Sequence, residues 1–143
     1  MAAVLAGFVC GYGLALVITP LAAIALVRAR PTSPLLARLM PEGTSLIAVS
    51  IILHTFAFLT LTALGILLGI MLDGLEGRSP AGGLGSPNRA FTVFIVATTA
   101  IAIGPLALFL PRQRLLLFAA GTVSLGVFGW LMPYLSLWGP EGS

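Results

Sequence analysis

Of the 143 residues, 59% are hydrophobic and only 8% are charged, far from the roughly one-quarter charged composition of soluble domains, which excludes an ordinary soluble globule. Seven arginines, no lysine and four acids leave a net charge of +3. The arginines sit between apolar runs and form no continuous cationic surface, so nucleic acid is not an expected partner.

The first apolar run, residues 2–27, lacks the basic start of a secretory signal and exceeds a signal's hydrophobic region, so it reads as a retained membrane span. It contains Gly7-x-x-x-Gly11, a spacing that lets helix backbones approach closely. Pro20 removes one backbone donor near the end of the run. Cys10, the single cysteine, can form neither an intramolecular disulfide nor a multi-cysteine metal site, and reads as a small packing side chain.

Arg28 and Arg30 close this run. The connection that follows holds Arg38 and prolines at 31, 34 and 41, which forbid one continuous helix. Leu35, Leu36, Leu39 and Met40 are spaced for a short interfacial turn, and Glu42 to Ser45 offer caps for the next helix.

The second run, residues 45–72, is the stretch around which the chain is organised. It is uncharged, long enough to cross the ~30 Å apolar core of a bilayer, and holds the single histidine, His54, together with Gly65-x-x-x-Gly69. At about 100° per residue, His54 and Gly65 project within about 20° of each other, with Leu61 and Gly69 close to the same line. Ser50 flanks this stripe, whereas Thr55 and Thr60 point elsewhere and can return their hydroxyls to carbonyls one turn back. Ionisable and small residues in membrane spans normally face protein, so this is the expected helix-packing face. The span is expected to end before Asp73-Gly74.

Residues 73–88 are rich in glycine, proline and serine and read as a flexible loop. Gly82-Gly83-x-Gly85 lacks the preceding strand and the lysine of a phosphate-binding loop. The third span, residues 90–110, carries Thr92, Thr98, Thr99 and a late Gly104-Pro105. Residues 111–114 are too short for anything but a tight connection, so spans three and four form an antiparallel hairpin. The fourth span, residues 115–138, ends in Trp130, Tyr134 and Trp138. Their spacing of four puts these rings on one side of the last turns, where they would anchor the helix at the membrane interface.

The expected fold is therefore all-α: an integral membrane four-helix bundle of two antiparallel helical hairpins, forming a single transmembrane domain over 1–143. Arg28, Arg30 and Arg38 in the first connection and Arg112 and Arg114 in the third outnumber Arg78 and Arg89 on the other side. The positive-inside rule then puts both termini outside the cytoplasm. Arginine in place of lysine fits a GC-rich coding sequence, and a prokaryotic inner or plasma membrane is the expected location.

No span contains an acid, lysine or arginine, which removes the usual machinery of coupled transport and of intramembrane hydrolysis. No enzyme activity is expected. The leading expectation is a non-catalytic accessory subunit, with Gly7, Gly11, His54, Gly65 and Gly69 packing helices against one another, against other transmembrane subunits or in self-association. Two alternatives stand beside it. One is an oligomeric channel or transporter lined by His54 and the threonines. The other is an electron-transfer subunit in which His54 ligates haem or a chlorophyll-type pigment near Phe56 and Phe58.

Overall fold

The computed structural model describes residues 2–76, 89–109 and 111–136. The described residues are helical apart from short turns, with no strand among them. In chain order they form α1 (Ala2–Ala29), a 3-10 turn (Arg30–Thr32), α2 (Pro34–Leu39), α3 (Leu46–Glu76), α4 (Arg89–Phe109), a second 3-10 turn (Pro111–Gln113), α5 (Arg114–Gly126), a π-helical turn (Val127–Leu131) and α6 (Met132–Ser136). Three stretches are long and apolar enough to cross a membrane by length and composition: Ala3–Thr32, Leu46–Gly74 and Pro111–Ser136. Within α4 the apolar stretch Phe91–Pro105 is shorter. Most of the glycine-rich loop, Arg78, Leu110, Trp138 and the tail lie outside the described residues.

Local chemistry explains most element boundaries. Ser33 caps α2, its Oγ accepting from the Leu36 N–H at 3.4 Å, with Pro34 in the first helical position where no N–H is needed. Ser45 caps α3 by accepting from the Ala48 N–H at 3.1 Å. Between them the chain reverses at Pro41–Thr44, where the Thr44 N–H donates to the Pro41 carbonyl at 3.1 Å. Gly43 takes φ +89° there, the left-handed conformation that the third position of such a turn requires.

Two boundaries depart from expectation. α3 does not end before Asp73-Gly74 but continues to Glu76. One glycine costs a helix about 1 kcal/mol, too little to stop a long one. The last span is not uniformly α-helical: a π turn at Val127–Leu131 has the Met132 N–H donating to the Val127 carbonyl, five residues back. Pro133 follows it; proline cannot donate to the carbonyl four residues earlier and crowds it, and a locally wider turn accommodates both defects. Of the expected aromatic anchor, Trp130 is exposed and Tyr134 partly exposed.

α1 and α3 pack antiparallel, Ala3 meeting Gly69 and Gly11 meeting Leu61. α4 and α5 form the second antiparallel hairpin, Gly121 lying against Ile103 and the Arg114 Nε–H donating to the Ala107 carbonyl at 3.0 Å. The main core lies at one end, where Ala6, Cys10 and Leu14 of α1, Leu68 and Leu72 of α3, Phe91 and Ile95 of α4, Phe128 of the π turn and Met132 of α6 are buried together. At the other end Ala23, Met40 and Val49 form a separate small cluster between α1, α3 and their connection. At that end α4 and α5 add nothing to the small cluster and leave Ile101 and Leu108 about three-quarters exposed and Leu115 86% exposed.

Gly43→Ala is expected to destabilise the fold by about 1–2 kcal/mol, because an L-residue must then hold a left-handed φ. Ser45→Ala should cost about 1 kcal/mol through loss of the cap. Denaturant unfolding of the purified chain in detergent, followed by far-UV circular dichroism, measures both.

Candidate functional site

The candidate site grows from α1's small residues. Ala3, Gly7, Gly11, Ala15, Thr19 and Ala23 recur every fourth position, and all six are buried. Because the α-helix repeats every 3.6 residues, a period of four gives a small-residue stripe that winds about 40° around the helix at each step. α3 lays a matching stripe across it. Gly7 and Gly65 face each other so closely that a Cβ on either would collide with the other's carbonyl. A Cβ on Gly11 would strike the Leu61 carbonyl, and one on Gly69 would come within 2.5 Å of the Ala3 carbonyl oxygen. Only hydrogen at Cα fits, so the two backbones are in direct contact, a geometry that also favours Cα–H···O interactions.

Phe128 closes this crossing from a third element. Its Cε1 would lie 3.3 Å from a Cβ on Gly65, and its side chain is buried in the main core. The glycine thus clears space for α1 on one side and an aromatic ring on the other.

His54 lies farther along the same α1/α3 seam. Its Nδ1 is 3.4 Å from Thr19 Oγ1, and the Thr19 hydroxyl donates its proton to the Ala15 carbonyl at 2.7 Å. Since that proton is committed, Thr19 can only accept from the ring, which assigns the hydrogen to Nδ1 and leaves the lone pair on Nε2. The imidazole stacks on Phe58 with centroids 6.3 Å apart and a 30° interplanar angle. Phe58 in turn meets Tyr12 edge-on at 5.8 Å. Nδ1 is therefore occupied, and Nε2 is the nitrogen open to a further hydrogen bond or a ligand.

The structure brings Gly7, Gly11, Gly65 and Gly69 to one contact and puts His54 on the same seam. Trp130 and Tyr134 belong to neither, Trp130 being 62% exposed. Thr19 escaped the sequence reading although it supplies the histidine's partner, as did Ala3, Ala15, Ala23 and Phe128. The four-residue recurrence of small side chains was the available signal for the α1 residues, whereas nothing local marks Phe128. Thr55 and Thr60 turn away from the seam and donate to the Ile51 carbonyl at 3.0 Å and to the Phe56 carbonyl. Thr62, at the crossing, likewise donates to the Phe58 carbonyl at 2.5 Å.

Chemically the seam offers one imidazole, one hydroxyl and tight backbone contact. Among the described residues no three His, Cys, Asp or Glu side chains lie together as a metal-binding group. No family model, curated protein or solved structure matches this chain.

Gly65→Leu should disrupt the α1/α3 contact by more than the usual 1–3 kcal/mol cost of overpacking, because backbone cannot yield as a side chain can. Gly13→Ala, where a Cβ meets nothing within 4 Å, should leave it intact or slightly stabilise it. Spin labels near residues 5 and 67 would read the difference as a change in interhelical distance. Thr19→Val should cost only about 0.6 kcal/mol, the average for an interhelical hydrogen bond in a membrane protein, measured by unfolding in detergent.

Proposed function

We propose that the chain is an integral membrane protein of four spans whose role is structural: it packs as a non-catalytic subunit against larger transmembrane partners. The observation that carries this reading is where the polar side chains spend their hydrogen bonds. Thr19, Thr62, Thr98, Thr122, Ser124 and Ser136 all donate to carbonyls three or four residues back in their own helices. Hydroxyls satisfied in this way do not form a continuous polar path, and they leave the outer surfaces of the helices apolar.

α4 supplies the fourth span. Its 21 residues extend about 31 Å at 1.5 Å per residue, enough for the apolar core of a bilayer. Arg28, Arg30, Arg38, Arg112 and Arg114 flank the helix ends away from the main core, and the positive-inside rule places those ends in the cytoplasm and both termini outside. The outer half of the α4–α5 hairpin, with Ile101, Leu108, Leu115 and Phe118 exposed, is the surface offered to a partner.

The test is gentle purification from the native membrane, with co-purifying chains quantified by mass spectrometry and an absorption spectrum taken oxidised and reduced. The expected result is a colourless sample carrying larger membrane chains in fixed stoichiometry. Ala100→Trp or Ala119→Trp, at exposed positions of the hairpin, should abolish that association while leaving helicity unchanged. Isolation as a pure homo-oligomer would instead favour a channel or transporter. A Soret or chlorophyll-type band lost in His54→Ala would make the chain a cofactor-bearing subunit using the free Nε2.

A further inference from the structure

The connection between α1 and α3 encloses a half-open cavity of ≈ 570 Å³ whose wall includes Arg30, Thr32, Ser33, Glu42 and Thr44. Arg30 is held in place by its Nε–H, which donates to the Met40 carbonyl at 2.8 Å. Its two Nη groups make no further hydrogen bond among the described residues, so a fork of donors remains available. Glu42 lines the same cavity without an ion pair to Arg30. One cavity therefore presents two opposite charges that do not neutralise each other by contact.

The hydroxyls sort by what they have left to offer. Thr32 and Thr44 give their protons to the Ala29 carbonyl at 2.9 Å and the Pro41 carbonyl at 2.7 Å, and can only accept. Ser33 Oγ already accepts from the Leu36 N–H and keeps its proton to donate. Arg30 and Ser33 thus supply donors for an anion, and Glu42 and Thr44 supply acceptors for a cation that carries N–H groups. A simple anion would meet the Glu42 carboxylate, and a simple cation the guanidinium. A zwitterion meets neither penalty.

The surroundings add a second requirement. Beside the charged and hydroxyl groups, the cavity is lined by Val27, Pro34, Ala37 and Met40. This apolar part of the wall stands where α1 ends and the connection to α3 begins. A ligand with long hydrocarbon chains attached to its zwitterionic head satisfies both the charges and this apolar lining.

We propose that this cavity binds the headgroup of an aminophospholipid of the phosphoethanolamine type, phosphate on Arg30 and ammonium on Glu42, with the acyl chains leaving over Val27, Pro34 and Ala37 of its wall. The proposal rests on the membrane reading above. A choline headgroup carries no N–H for Glu42, and a glycerol headgroup carries no cation.

The experiment uses the full chain, delipidated in detergent and reconstituted into nanodiscs of equal parts phosphatidylethanolamine, phosphatidylcholine and phosphatidylglycerol with identical acyl chains. Lipids retained after mild extraction are counted by native mass spectrometry. The expected result is one phosphatidylethanolamine held about tenfold over either competitor, the scale of one charge-assisted hydrogen bond. Glu42→Gln should shift the preference to phosphatidylglycerol, and Arg30→Gln should lower retention of both. Arg112→Gln, in the other arginine-bearing connection, should change nothing. Equal retention of the three lipids overturns the proposal, as does an unchanged preference in Glu42→Gln with native helicity. So does displacement of the bound lipid by millimolar soluble phosphoethanolamine, which would make the ligand a free metabolite. A chain that alkaline carbonate strips from its native membranes overturns the membrane reading and this proposal together; an embedded chain without lipid preference overturns only the proposal.

Discussion

Two helix backbones in direct contact leave no side chain between them to absorb an error. At the α1/α3 crossing the carbonyl of Gly7 faces Gly65, and Gly11 and Gly69 sit against Leu61 and Ala3. The rest of the structure takes its position from that contact. Phe128 reaches the core because Gly65 has no side chain in its way, and Phe128 with Met132 brings the π turn and α6 onto α1. Phe91 and Ile95 then join α4 to the same cluster. Where transfer from lipid to protein gains little for an apolar side chain, such close packing is the main term available to hold helices together.

The polar groups are handled in two ways. Within the long helices most hydroxyls return to their own backbone, so they add no polarity to the surface. Between helices, Thr19 and His54 form a cross-helix polar contact. It works because Thr19 has already given its proton to Ala15, so that one small hydroxyl both satisfies its own turn and fixes the tautomer of the ring. Outside the helices, Arg30 and Arg114 follow a common pattern, each donating from Nε to a backbone carbonyl left open near a helix end. Pinning a guanidinium by one edge leaves the other edge for solvent, headgroup or ligand.

The fold is unequal along its length. One end is a core shared by α1, α3, α4 and the C-terminal helical segment, and the other consists of two helix pairs each packed on itself, joined to short turns rich in proline. The features with unspent capacity gather at that second end: the exposed hairpin leucines and the cavity with its two unpaired charges. The firmly packed end holds the helices in register, and the looser end carries exposed apolar surface.

Composition and periodicity alone determined that the chain is helical, that its long runs are apolar enough to cross a membrane, and that Gly7, Gly11, Gly65 and Gly69 lie on packing faces. These are local properties: hydropathy, helical period and the absence of a side chain are legible residue by residue. The cap at Ser45 belongs to the same class. Only the tertiary structure decided which glycine meets which carbonyl, that Thr19 is the partner of His54, that Phe128 completes the crossing, and that Arg30 and Glu42 share one cavity. The π turn before Pro133 also lay beyond the sequence, since a proline near a helix end can be accommodated in several ways. Pairings of this kind depend on the axial register of one helix against another, and in chains this uniformly apolar many registers bury similar surface. The register is selected by which backbones can touch, a property of two helices together that neither sequence segment contains alone.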